Sequence, residues 1–259
     1  MKVIYIKKKY LIPIFITLIL VLIILISLNG FLANRYVLGV SNQYRDDIPI
    51  YSVDSQEKKC AITFDCAWGA DDIPDILDAL DKYDAKGTFF VVGLWAEKYP
   101  DMVKLIYDRG HTVANHGYSH AHMAQLPESK IEEEILRCTE VIQKITGEST
   151  NLFRPPYGEY NSTTIKVANR LGYQTIQWDV DSLDWKDNLS YEDIYKRVTQ
   201  RVQYGSIVLF HNDTKYTQKV LPAILENLTN NGYNCVSVPD LLIKGKYKIR
   251  YDGRQMKDY

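Results

Sequence analysis

Seven short runs of β-forming residues, alternating with segments of helical period, order this chain: 61–64, 88–92, 111–114, 151–153, 174–178, 206–210 and 234–238. Between them apolar residues recur at helical spacing. Ile73, Ile76, Leu77 and Leu80 form one stripe, Ile131, Ile135, Cys138, Ile142 and Ile145 a second, and Val220, Leu221, Ile224, Leu225 and Leu228 a third. Gly110, Gly147, Gly172 and Gly232 each close a helical stretch just ahead of a strand, as C-terminal caps do. Such alternation predicts an α/β chain with a parallel sheet, open or closed into a barrel, because parallel neighbours need a helical crossover. There is no internal repeat and no Gly-x-Gly-x-x-Gly or Walker loop to hold a nucleotide.

The N-terminal part follows another rule. Residues 10–34 carry no charge, and 11–28 are nearly all Leu, Ile, Val and Phe. A membrane span needs about 20 apolar residues and a cleaved signal core only about 7–15, so the expectation is an uncleaved transmembrane helix. Lys2, Lys7, Lys8 and Lys9 precede it, which predicts a basic cytoplasmic segment 1–9, an anchor over 10–34 and everything after Arg35 outside the cell membrane. Residues 35–57 read as a stalk, 58–243 as the folded domain and 244–259 as a polar tail. Residues 1–35 hold five basic residues and no acidic one, so removing them takes the formal charge from −1 to −6. That balance excludes nucleic acid as a partner. Cys60, Cys66, Cys138 and Cys235 form no Cys-x-x-Cys pair and indicate neither a zinc ribbon nor a disulfide scaffold. Cys60 and Cys235 read as small core residues, with a disulfide between them left open.

Reactive groups of parallel α/β folds collect at the C-terminal ends of strands. Here those ends carry Asp65, then His116 with His120, then Arg154 and Tyr157, then Asp179, Asp181, Asp184 and Trp185, and finally His211. His116 and His120 stand four apart, which lets two imidazoles share one divalent metal, although two ligands alone do not make a site. Asp65 and Arg154 fit either a buried structural ion pair or a base held ionised beside a metal-bound water. His111 and His122 read as ordinary structural or surface histidines.

The ordered set Thr63-Phe-Asp65, His116-x-x-x-His120, Arg154-Pro-Pro-Tyr157, Asp181-Ser-Leu-Asp184-Trp185 and Leu209-Phe-His211 resembles the polysaccharide deacetylase family, the NodB-homology domain of carbohydrate esterase family 4. The likeness runs over about 58–243. It implies a distorted (β/α) barrel of about seven parallel strands, preceded in this chain by one transmembrane helix. It also implies a divalent metal, zinc or else cobalt or nickel, on His116 and His120. Asp65 becomes the general base paired with Arg154, and His211 the general acid oriented by Asp184, with Asp181 the less favoured partner. The backbone N–H of Tyr157 would hold the oxyanion, Leu209 would line the acetyl pocket, and Trp185 would wall the groove. One position departs from the family pattern: where a second aspartate binds the metal, this chain has Cys66. Either Cys66 serves as a thiolate ligand or the loop 67–72 brings in a carboxylate, with Asp72 favoured. The motifs Asp-Cys-Ala-Trp-Gly and Arg-Pro-Pro-Tyr-Gly resemble the branch found in spore-forming Gram-positive bacteria.

The expectation is therefore a monomeric, membrane-anchored deacetylase of N-acetylated wall glycan, peptidoglycan above all. Two alternatives stand beside it: a deacetylase of chitin oligosaccharides or exopolysaccharide, and a catalytically silent glycan-binding or morphogenetic wall protein that has lost its metal.

Overall fold

The computed structural model describes Arg45, residues 47–258 and, further N-terminal, Val21, Leu25 and Ser27. The expected cytoplasmic segment 1–9 and nearly all of the expected anchor 10–34 lie outside the described residues. Among the described residues no helix is long and apolar enough to cross a membrane.

The strands are β1 (Ser52–Val53), β2 (Lys59–Cys66), β3 (Thr88–Val91), β4 (Thr112–Asn115), β5 (Leu152–Phe153), β6 (Gln174–Thr175), β7 (Val180–Asp181), β8 (Ile207–His211), β9 (Asn234–Val236), β10 (Tyr247–Ile249) and β11 (Arg254–Lys257). The helices are α1 (Ile73–Lys82), α2 (Gly93–Lys98), α3 (Pro100–Asp108), α4 (Glu128–Thr146), α5 (Ser162–Arg170), α6 (Tyr191–Thr199), α7 (Thr217–Asn230) and α8 (Val238–Leu241). Seven strands pair in the order β6-β5-β4-β3-β2-β8-β7, all parallel, and β9 pairs with the start of β2. The result is a curled half-barrel: the alternation predicts its parallel sheet, and the family resemblance its seven-stranded barrel form. Each of the seven sequence runs overlaps a strand, the last of them β9 rather than a member of the seven-strand path; β7, only two residues long, has no apolar run to announce it.

Strand β2 is buried along nearly its whole length because helices cover one face and the barrel interior the other. Alternation divides its side chains. Cys60, Ile62, Phe64 and Cys66 join the larger core against the helices, where Phe64 stacks on Phe89 at 4.7 Å, while Ala61 joins Ile50, Phe90, Ala114 and Ile207 inside the barrel. The three predicted stripes are the buried faces of α1, α4 and α7. Gly147 caps α4 at φ 82°, a left-handed conformation open to glycine at little cost.

Two ends of the domain differ from the sequence reading. Ile50 and Val53, expected in the stalk, are buried, and the backbone of Ile50 bridges β6 through Ile50 N to Thr175 O (2.8 Å) and Gln177 N to Ile50 O (2.7 Å). Residues 247–257, expected as a polar tail, make β10 and β11, which with β1 form a second sheet of three strands. Its only fully buried side chain on β11 is polar, Gln255, which accepts the Ile243 N–H at 2.8 Å, so hydrophobic patterning gives no sign of it. Cys60 and Cys235 are free thiols facing each other across β2 and β9, Sγ to Sγ 3.7 Å.

Candidate active site

The strand ends open on one cleft of about 570 Å³. Asp65, His116, His120, Tyr157, Asp184, Trp185, Leu209 and His211 all line it. Arg154 lies fully buried beneath, whereas Asp179 is not part of the cleft and instead accepts from Ser206 Oγ (2.8 Å) and the Ile207 N–H (2.8 Å).

Asp65 sits on the interior face of β2, and in the parallel register its neighbour on β8 is His211. Beneath it Arg154 donates from Nη1 to Asp65 Oδ1 (2.7 Å) and to Thr63 Oγ1 (2.9 Å), and from Nη2 to the Gln177 carbonyl (3.1 Å), its guanidinium lying over the Phe90 ring at 4.0 Å. Burial alone would raise the Asp65 pKa, but the charge and hydrogen bond of the buried Arg154 guanidinium lead the influences that outweigh it and hold the carboxyl below its ordinary range. Asp65 is thus an ionised base in a dry setting.

His211 is the opposite case. Burial would lower its pKa, yet the hydrogen bond from Nδ1 to Asp184 Oδ1 (2.8 Å) and the nearby carboxylates raise it. Asp184 is fixed by two more donors, the His211 N–H (2.7 Å) and Thr217 Oγ1 (2.5 Å). Asp181, the less favoured alternative, instead accepts the Leu183 N–H at 2.8 Å.

The His116–His120 loop is a tight turn rather than helix. Asn115 Oδ1 accepts the Gly117 N–H (2.8 Å), and Glu134 on α4 accepts the N–H groups of Tyr118 (2.9 Å) and Ser119 (2.8 Å). Glu134 is a positioning residue that sequence reasoning missed; it lies on a helix with four other glutamates and nothing local marks it. His116 donates from Nδ1 to the Arg154 carbonyl (2.8 Å), which leaves Nε2 as a bare lone pair 3.5 Å from Asp65 Oδ2. Burial lowers the pKa of His116, and takes that of His120 down to about 4, so both imidazoles are neutral donors. A lone pair facing a carboxylate oxygen in a buried place calls for a positive group, and two neutral imidazoles beside an ionised carboxylate fit a divalent metal. As the side chains stand, no three His, Cys, Asp or Glu groups among the described residues enclose one point as ligands.

Neither further ligand considered from sequence faces the cleft. Cys66 lies on the opposite face of β2 from Asp65, packed in the helix-side core, where burial pushes its pKa well above the ordinary thiol value. Asp72 is turned into a clasp between two loops: its Oδ2 accepts the Asp213 N–H (2.8 Å), while Asp213 Oδ2 accepts the Gly69 N–H (2.9 Å). A Cβ on Gly69 would meet the Asp213 carboxylate at 2.6 Å, so the clasp needs glycine. It ties the loop after Asp65 to the loop after His211.

A sequence profile described as polysaccharide deacetylase matches residues 52–176. Among curated proteins, the chain is 31% identical over 202 residues to the peptidoglycan-N-acetylmuramic acid deacetylase of Bacillus subtilis, covering 77% of each. It is 36% identical over 197 residues to a peptidoglycan-N-acetylglucosamine deacetylase of Bacillus cereus, covering 74% of this chain and 92% of the relative.

The chain belongs to the polysaccharide deacetylase family.

Among solved structures, it superposes on a CE4-family pseudoenzyme from Bacillus anthracis with a TM-score of 0.73 at 29% identity, covering 82% of this chain and 74% of that one. Family members thus include both active and silent proteins, and the side chains of this cleft bear on which kind this is. Exposed aromatics flank the polysaccharide deacetylase cleft: Tyr157, Trp185 and also Trp68, which packs edge-on against His120 at 5.4 Å and which sequence reasoning had passed over.

Proposed function

We propose that this protein is a metal-dependent N-deacetylase of cell-wall peptidoglycan, acting outside the cell membrane and held there by its N-terminal segment. One observation carries the reading: Asp65 and His211 stand side by side in one cleft, each held by its own buried partner, which pushes the Asp65 pKa down and the His211 pKa up. Two titratable groups with pKa values pushed apart are the requirement for paired base and acid work.

Asp65 takes the proton from a water whose oxygen attacks the acetyl carbonyl carbon. The Tyr157 N–H steadies the oxygen that becomes negative. His211 gives its proton to the sugar nitrogen as the carbon–nitrogen bond breaks, so acetate and a free amino sugar leave. A divalent metal, zinc or alternatively cobalt or nickel, would be held by His116 and His120, and when bound it polarises the carbonyl and makes water a stronger acid. Leu209 suits the acetyl methyl, and the faces of Trp185 and Trp68 suit the apolar faces of sugar rings. Relatives named for N-acetylmuramic acid and for N-acetylglucosamine both support a peptidoglycan substrate.

The test is acetate release from N-acetylated peptidoglycan fragments by the zinc-supplemented protein, with a chelated control and mass spectrometry of the products. Absence of acetate with metal present overturns the reading. A second reading, a silent glycan-binding wall protein, draws on Cys66, which leaves the cleft one carboxylate short of the family pattern. Failure to bind zinc, cobalt or nickel favours that reading.

A further inference from the structure

Two loops of the cleft are joined by a row of contacts centred on a residue outside the catalytic set. His120 and Tyr157 both hold φ of 60°, in the left-handed region that side chains with a Cβ seldom adopt. Such conformations persist where the surroundings over-determine them. Here the two strained residues face each other, ring centroids 4.4 Å apart and edge to face. On its other side the Tyr157 ring is stacked on His122, centroids 4.2 Å apart and planes within 9°. His122 in turn donates from Nδ1 to Glu159 Oε2 at 2.8 Å, so the residue that stacks on Tyr157 is pinned from two positions beyond it. Asn161 Nδ2 donates to the Ala124 carbonyl (2.9 Å) and ends the row. The first contact of the row, His116 Nδ1 to Arg154 O, lies at the cleft floor, and His122 holds the rim.

We propose that His122 is a positioning residue: its ring, fixed by Glu159, clamps Tyr157 in the left-handed turn and so fixes the direction of the Tyr157 N–H and the edge against which His120 rests. A flat ring is what the role needs, not a ligand or a proton. The meaning for turnover rests on the proposed function; the clamping itself does not.

In the full-length protein, His122→Ala and His122→Phe are compared with wild type by amide hydrogen exchange at Tyr157, Gly158 and Glu159. The same three proteins are compared by steady-state acetate release from an N-acetylglucosamine oligomer. His122→Ala is expected to speed exchange across the turn and to lower kcat about tenfold with KM nearly unchanged, the mark of a misplaced group rather than lost binding. His122→Phe, which keeps the stack and loses the hydrogen bond to Glu159, is expected to recover most of both effects. Unchanged exchange in His122→Ala, or a Phe variant no better than the Ala variant, overturns the proposal. If wild type releases no acetate, that counts against the proposed function, and the exchange comparison still decides the part played by His122.

Discussion

Asp65 and His211 are register partners on adjacent parallel strands, β2 and β8, so backbone hydrogen bonds and not a flexible loop set the spacing of the proposed base and acid. Each then takes its proton state from a different neighbour, Asp65 from Arg154 and His211 from Asp184. Arg154 has no exposure at all and Asp184 almost none, which places the tuning charges out of reach of salt.

Asp65→Asn removes the base and keeps the shape. Acetate release is expected to fall by at least about a hundredfold, within the usual range for a lost general base, while zinc binding through His116 and His120 is retained. Turnover within severalfold of wild type would move the base elsewhere.

Arg154→Met leaves Asp65 buried with no counter-charge. Breaking a buried pair from one side costs about 3–5 kcal/mol, and the midpoint of urea unfolding measures it. In whatever folds, the Asp65 pKa rises, so the acidic limb of the rate profile shifts to higher pH.

Asp184→Asn removes the charge that raises the His211 pKa. The His211 pKa then falls, and the alkaline limb of the pH–rate profile is expected to move to lower pH. The sign for stability is the same: a histidine raised in the folded state stabilises below its unfolded pKa and loses that contribution as pH rises through the folded value. Wild type is therefore expected to lose this contribution on the alkaline side, and Asp184→Asn is not.

His111 behaves in reverse, away from the cleft. Its Nδ1 accepts the Gly87 N–H (3.2 Å), and burial takes its pKa from 6.5 down to about 4. A depressed histidine stabilises above its unfolded pKa, and the contribution, at most about 3 kcal/mol, is lost as pH falls from 6.5 towards 4. Urea midpoints at neutral pH and near pH 4 should differ less in His111→Gln than in wild type.

Cys66→Ser is expected to leave zinc affinity unchanged, since the side chain faces the helices, whereas His116→Ala should abolish it. Isothermal titration with zinc alone distinguishes the two, and weakened binding in Cys66→Ser would contradict the orientation of β2.

The sheet was legible because parallel strands buried on both faces read as unbroken apolar runs, and the cleft because polar residues end those runs at Asp65, Asn115 and His211. The fate of Cys66 stayed open in the sequence, because the family pattern has a metal ligand at that position; in the structure it shares the outward face with Phe64 and Ile62. Nor was the fate of Asp72 legible, because its partner Asp213 is 141 residues away and no local pattern links them. Trp68, Glu134 and His122 share that limit: each acts through a neighbour that only the folded chain supplies.

The backbone of residues 50–53 is sewn between β6 and the start of β8, through Ile50 on one side and Val53 N to Gly205 O (2.9 Å) on the other. A Cβ on Gly205 would stand 1.8 Å from the Val53 carbonyl oxygen, so the stitch admits nothing larger. Tension applied to the domain from its N-terminal side meets the bond from Arg45 N to Ile249 O (2.8 Å) and then these hydrogen bonds. The strands that carry Asp65 and His211 follow that seam in the chain, so a pull from the N-terminal side reaches the seam before it reaches them.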